Sequence, residues 1–421
     1  MGITSTLRGR KKTHVAIVGA NFAGLSAAMA LPADRFNVTV IDPNPGFEYL
    51  PCVPELISGR KRPKNLRIPK QRIVRRSGHT YLPEQVVELD PARGHLLTDK
   101  GQEFAFDFCI CAVGGQSAVG RVEGAREHAR PFQSVNASHV IGERLGDLIE
   151  NRKLVSVVIV GGGSEGVEVL GEILRAHKKA PGLHVRVIEG AGRLMPHLPE
   201  VLDREVREAA SPYNVHFHIY SLVKRVETST VHLVTGETLH SDLTIWTGGV
   251  EPRALLHESG LAPAPDSWAP VYSTLQSRRF DNVFIAGDSA DLPFDAEKKG
   301  YQAIAMGRTA AHNLSRLVSG RDLESFKPEN KPTIVPFGNL DCYVVYNGTV
   351  LAGVALGSLK EVVYQVVMAR FDAAMSPLYL ARLGRRAAKG WKNQLAASMH
   401  SVDAMRRLGN VRLLKKPSLA T

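Results

Sequence analysis

Two glycine-rich turns carry the chemistry this sequence offers most openly. The first, "VGANFAG" (18–24), supplies Gly19 and Gly24 with Asn21 in the middle position. The second, "VGGGSEG" (160–166), supplies Gly161, Gly163 and Gly166 in the full GxGxxG spacing. Phosphates are held at such turns by backbone N–H groups at a helix N-terminus, helped by the helix dipole. Glycine is needed where the turn is tight and where the backbone must approach a pyrophosphate. Asparagine tolerates left-handed backbone better than most residues, so the first turn is expected to survive the exchange at small cost. An acid closes the strand after each turn, Asp42 and Glu189, where a ribose hydroxyl would be received. A tight turn made for packing alone is the plainer alternative. Turn plus acid, found twice, favours two dinucleotide sites. A carboxylate at Glu189 also repels a 2′-phosphate, which favours NADH over NADPH, although the nearby Arg193 leaves NADPH open.

Each turn needs a strand entering it and a helix leaving it. "HVAIVG", "LSAAMAL" and "NVTVID" supply strand, helix and strand around the first. "VSVVIVG", "GVEVLGEILRAHKKA" and "HVRVIE" do the same around the second. β-rich stretches follow both, each closing on a small-residue turn, AVGG and then WTGG. "NVFIAGDSAD" and the helix "YQAIAMGRTAAHNLSRLV" complete the pattern. This is α/β alternation on parallel sheets, with a weak internal duplication. The expected organisation is one dinucleotide domain over 13–125 and 252–328, a second over 126–251, and a separate region over 329–421.

A chain of 421 residues is long enough for two or three domains, and 44% hydrophobic residues argue for folded ones. No stretch approaches the roughly 18 uninterrupted apolar residues of a membrane span. The best, "VVYNGTVLAGVALGSLKEVVYQVVMARF", is interrupted by Asn347, Lys360 and Glu361. The basic N-terminus "MGITSTLRGRKK" leads into a strand without an apolar signal segment, so a cytosolic protein is expected. The four cysteines lack paired zinc spacing, and no metal site is expected. Cys109 and Cys111 alternate along a strand and read as small core residues.

"GANFAGL", "DFCICAVGG", "GGGSEGVEVLGE", "TIWTGGVEP" and "NVFIAGDSA" occur in that order over nearly 300 residues. The sequence resembles the flavoprotein superfamily with two dinucleotide-binding domains, in which FAD sits on the first fold and a pyridine nucleotide on the inserted second. The resemblance implies that Gly19, Asn21, Gly24 and Asp42 hold the ADP half of FAD and that Asp288 holds its ribityl chain. Pro51, Val86, Gly114, Gly300 and Tyr301 complete the implied FAD set, and Gly161, Gly163, Gly166, Glu189 and Gly248 form the implied NAD set. The disulfide reductases of the superfamily carry a CxxxxC pair where this chain has "FEYLPCVPELISG" with Cys52 alone, which removes that chemistry.

The F-x-Y-x-P-x-x-P pattern there resembles two membrane-associated branches, type II NADH dehydrogenases and sulfide:quinone oxidoreductases. The sulfide enzymes need two cysteines beside the flavin. Asn136 stands at one such place, and Cys342 matches the other loosely or is a buried strand residue. "EKKGYQAIAM" is similar to the sulfide-enzyme segment, with Lys298 against the flavin pyrimidine or, alternatively, solvated. Tyr301 and Ala305 stand where the NADH enzymes usually carry glutamines. "GVEVLGEI" resembles the NADH dehydrogenases, in which Glu168 would lie near nicotinamide and flavin, a helix-face ion pair being the alternative. The balance implies an FAD-dependent enzyme passing hydride from NADH to flavin and then two electrons to a quinone. The flavin carries the chemistry and the protein orients it. A sulfide:quinone enzyme, a soluble reductase with another acceptor and a non-catalytic dinucleotide sensor are the alternatives.

The net charge of +12 has a large share in the tail. After Ser376 and Pro377, good N-terminal helix residues, Arg382, Arg385, Arg386, Lys389 and Lys392 fall on one helical face. Leu380, Leu383, Ala387, Trp391 and Leu395 fall opposite. Such a helix lies in a lipid interface or packs on its own protein. The expectation is a membrane-surface contact through 376–421, peripheral on the inner face of the cell membrane, with a homodimer left open. No nucleic-acid recognition motif accompanies the basic residues.

Overall fold

The computed structural model describes residues 12–372 and 411–415. The chain divides into two compact units. The first comprises Met1–Phe47, Ile68–Gly115 and Pro252–Glu329; the second comprises Glu48–Arg67, Gln116–Glu251 and Asn330–Thr421.

Each unit is built on a five-stranded, all-parallel sheet. In the first, the strand order is Val283–Ile285, Phe108–Cys111, Thr13–Val18, Phe36–Ile41, Thr80–Leu82. In the second it is Ala129–Pro131, Leu243–Trp246, Val155–Val160, Leu183–Ile188, Val215–His218. The strand feeding each glycine turn is central, and the strand ending in the acid is its neighbour on one side. These central strands are rich in valine and isoleucine because both faces of a parallel sheet are covered. All six residues of Val155–Val160 are buried. Each unit also carries a three-stranded antiparallel meander, Val86–Asp90 to Glu103–Ala105 in the first and Val223–Glu227 to Thr238–His240 in the second. The duplication visible in the sequence is thus a duplication of fold.

The helices behind the turns differ. Phe22–Ala30 is buried from Phe22 to Ala28, and its small residues allow close packing in the first unit. A Cβ on Gly307, in the Gly300–Val318 helix, would meet the Ala23 carbonyl oxygen at 2.1 Å. Ser164–His177 instead keeps a polar face. It packs beneath Thr333–Phe337, the first strand of a four-stranded antiparallel sheet in the second unit. The helix Gly357–Phe371 follows this sheet's third strand.

Its fourth strand, Arg412–Lys415, pairs with Thr349–Ala352. Arg412 pins it by donating to Glu205 (2.8 Å) and pairing with the buried Asp341. The basic helix expected from Ser376 lies outside the described residues. No helix among the described residues is long and apolar enough to cross a membrane.

Candidate functional site

In the first unit, the close approach of helix to turn is set at Gly24, where a Cβ would stand 1.8 Å from the Gly19 carbonyl oxygen. Asn21 caps the helix at φ −107°, so the expected use of its tolerance for left-handed backbone is not made. Positive φ falls on Gly19 instead, at +92°. The Asp42 carboxylate reaches the turn, accepting from the Ala20 N–H at 2.7 Å and, on its other oxygen, from the Asn44 N–H at 2.8 Å. Lys70, only 2% exposed, completes the arrangement with its ammonium 2.6 Å from Asp42. Lys70 stands between Ile68–Pro69 and Gln71–Arg72, a mixed setting that gives no hint of its burial.

Asp288 sits in the short turn Gly287–Ser289 on a cavity of about 160 Å3 lined by Trp268, Asp291, Lys298 and Met306. Burial raises its carboxyl above the usual range, and the Lys298 ammonium opposes that. Lys298 is not simply solvated. Its ammonium lies 3.7 Å above the Trp268 ring and donates to the Asp288 carbonyl at 2.5 Å. Burial lowers it from the ordinary lysine value. Gly114 donates its N–H to Ser289 at 2.7 Å, and a Cβ there would meet nothing within 4 Å. Gly300 opens its helix against Phe22, and the Tyr301 hydroxyl donates to Glu297 at 3.2 Å. Val86 is buried at the start of its meander, while Pro51 belongs to the second unit.

In the second unit, a Cβ on Gly166 would stand 1.9 Å from the Gly161 carbonyl oxygen, the counterpart of Gly24. Gly163 caps the helix at φ −66°, and a Cβ there would meet nothing within 4 Å. The middle glycine therefore keeps space clear rather than serving an unusual backbone angle, which is what close approach of a pyrophosphate requires. Glu189 accepts from the N–H groups of Gly162 (2.7 Å) and Ala191 (2.8 Å). Gly248 faces the Trp246 indole.

Glu168, one turn into the helix, is ion-paired at 2.5 Å with Lys360. Burial pushes the Glu168 carboxyl up to about 7, against the pull of Lys360. Burial would lower Lys360, but the surrounding acidic groups, Glu168 first with Cys52 and Glu55, together outweigh it and hold the ammonium charged. A buried charge survives only with such pairing. Lys61 adds a second link, 2.7 Å from Glu361 and 3.8 Å over the Tyr364 ring. Lys360 is one of the three residues that interrupt the longest apolar stretch. A lysine in such a run is the available signal, but its partner lies 192 positions away in the sequence.

All four cysteines are free and buried. Burial pushes the thiols of Cys52 and Cys342 well up, which keeps them from acting as thiolates. Among the described residues, no His/Cys/Asp/Glu group is arranged to hold a metal ion.

The family model for pyridine nucleotide-disulphide oxidoreductases matches residues 13–311. A type II NADH:quinone oxidoreductase of Staphylococcus epidermidis is 26% identical over 385 residues, covering 84% of this chain and 94% of that one. Among solved structures, NDH2 of Plasmodium falciparum in complex with NADH superposes with a TM-score of 0.75 at 16% identity, over 93% of this chain and 99% of that one. The sulfide:quinone oxidoreductase of Aquifex aeolicus gives 0.69 at 18% identity, over 79% and 83%. The two structural likenesses speak to the fold.

Proposed function

The chain belongs to the pyridine nucleotide-disulphide oxidoreductase family, and from that premise we propose that it is an FAD-dependent enzyme that oxidises NADH and reduces a quinone. The observation that carries the reading is the second cradle. Its middle position is clear at Gly163 and its acid is fixed by two backbone N–H groups. A chain with no use for a pyridine nucleotide has no reason to keep both. The curated relative's name supports the same donor and acceptor.

The residues present fit both cofactors. In the first unit, Gly19, Gly24 and the Ala20 amide would face a pyrophosphate, Asp42 the ADP ribose, and Asp288 the ribityl chain. Asn21, Val86, Gly114, Gly300 and Tyr301 complete that proposed set. In the second unit, Gly161, Gly163 and Gly166 would face the pyrophosphate of NADH and Glu189 its adenosine ribose, with Gly248 beside them. When bound, flavin supplies the hydride acceptor and the two-electron donor for the quinone. Lys298, held by Trp268 and the Asp288 carbonyl, would offer a cation to the flavin. Glu168, raised toward neutrality, is the group suited to hold or release a proton near pH 7.

Anaerobic titration of the yellow holoenzyme with NADH, NADPH and sulfide tests the reading. NADH is expected to bleach the flavin and a quinone to restore it; a flavin untouched by NADH ends the proposal. The sulfide alternative is weakened by Cys342, which is 1% exposed with its thiol pushed up by burial. Membrane attachment through 376–421, on the inner face of the cell membrane, belongs to this proposal. Liposome flotation with and without that segment tests it.

A further inference from the structure

Arg193 stands four residues beyond the acid of the second cradle, where a cation would meet the 2′-phosphate of NADPH. Its guanidinium is occupied elsewhere. One terminal nitrogen donates to the carbonyls of Leu194 (3.4 Å) and Met195 (3.1 Å). The other donates to those of Pro196 (2.6 Å) and Leu198 (2.8 Å). Four carbonyls converging on one side chain fold residues 194–198 into a knot, and Met195 at its centre takes a left-handed φ of 46° with its side chain fully buried. A non-glycine residue holds that conformation only where its surroundings over-determine it.

The knot reaches the glycine turn directly. The Met195 N–H donates to the Gly162 carbonyl at 2.9 Å, while the Gly162 N–H donates to Glu189 at 2.7 Å. Gly162 is thus gripped from both ends, by the knot and by the acid. The surroundings are close on the same side. A Cβ on Gly162 would meet Leu194 at 2.8 Å and Glu189 at 2.9 Å. Asp203 closes the far end by accepting from the Leu194 N–H at 2.8 Å and from Arg207 at 2.9 Å.

We propose that Arg193 is a positioning residue for the second cradle that also sets its coenzyme choice. By binding the 194–198 carbonyls it locks Gly162 and Glu189 in the geometry that receives a ribose diol. The same bonds withhold its charge from a 2′-phosphate. The inference rests on the reading that this cradle binds a pyridine nucleotide, and it concerns which one and by what means. A lysine at this position keeps the charge but has neither the reach nor the planar fork to serve four acceptors.

The test uses the holoenzyme, its Arg193→Lys and Arg193→Gln variants, and calorimetric titration with NAD+ and NADP+, which bind without reducing the flavin. Both variants are expected to keep full FAD content and to bind NAD+ at least tenfold more weakly. The preference for NAD+ over NADP+ should narrow at least threefold in Arg193→Lys, where an ammonium is freed, and stay put in Arg193→Gln. Hydrogen exchange should quicken at the Met195 amide while Val155–Val160 stays protected. Wild-type binding of neither nucleotide would overturn the functional reading and this inference with it. NAD+ binding unchanged in both variants would overturn the inference alone. So would a wild-type preference for NADP+ that both variants lose, because Arg193 would then be meeting the phosphate itself.

Discussion

The two cradles share a strand order and a turn, yet they differ in how the acid is held and in what the middle position leaves clear. In the first, Asp42 accepts from backbone amides and also from the buried Lys70, and Asn21 occupies the middle position. In the second, Glu189 accepts from the backbone N–H groups of Gly162 and Ala191, and the space over Gly163 is open. The helix after the first turn is a plug of small buried residues, whereas the helix after the second carries Glu168. The contrast suits a first site built around a resident ligand and a second built for one that comes and goes. A cation on the acid and an enclosed helix favour permanence, while backbone amides hold an acid without bringing a cation to it.

The largest effects should come from the helix–turn contacts. Gly24→Ala and Gly166→Ala each drive a Cβ within 2 Å of a backbone carbonyl oxygen, at 1.8 and 1.9 Å. Gly24→Ala is expected to yield protein without flavin, read as the ratio of flavin to protein absorbance. Gly166→Ala should stay yellow but lose NADH bleaching by about a hundredfold, the scale of a misplaced reactant. If both changes struck the same property, the two cradles would not be specialised as described.

Lys70→Met sharpens the comparison next. Removing one partner of a buried pair leaves the other uncompensated, and about 3 kcal/mol of stability should go with it. Chemical denaturation of the apo and FAD-loaded forms measures the loss. The second acid, held by the Gly162 and Ala191 amides, offers no comparable lysine change among the described residues.

The third test is pH. The folded-state value of Glu168 lies above its ordinary 4.5, at about 7, with burial as the main cause. Its stabilising contribution is therefore complete below about pH 4.5 and is lost as pH rises through about 7, by on the order of 3 kcal/mol. Melting temperatures of wild type and Glu168→Gln across pH 5–8.5, about the range spanning that transition, should converge at the acid end and separate at the alkaline end. Parallel curves would show that Glu168 does not titrate there.

The smallest effect belongs to Asn21→Gly. Its backbone sits at φ −107°, so glycine relieves no left-handed strain. FAD affinity should move less than about threefold, since the bond from the Leu25 N–H to the Asn21 carbonyl survives the change. A tenfold gain would mean that the asparagine side chain competes with the ligand.

Much of this was legible along the chain because it is local. β-Branched runs, glycine spacing and an acid about 20 residues on determine strand, turn and helix through contacts within one βαβ unit, and the parallel sheets followed. The turn keeps its shape with Asn21 but not by left-handed backbone, because spacing marks a middle position without saying whether it needs an angle or empty space.

What the amino-acid order settled by itself was therefore the pair of cradles and their acids, since steric demands and hydrogen bonds between near neighbours leave few alternatives. Tertiary structure alone decided the charges. Lys70 finds Asp42 across 28 residues and Lys360 finds Glu168 across 192. A lysine reads as solvated until the fold removes water from around it, and only then does the pairing become obligatory.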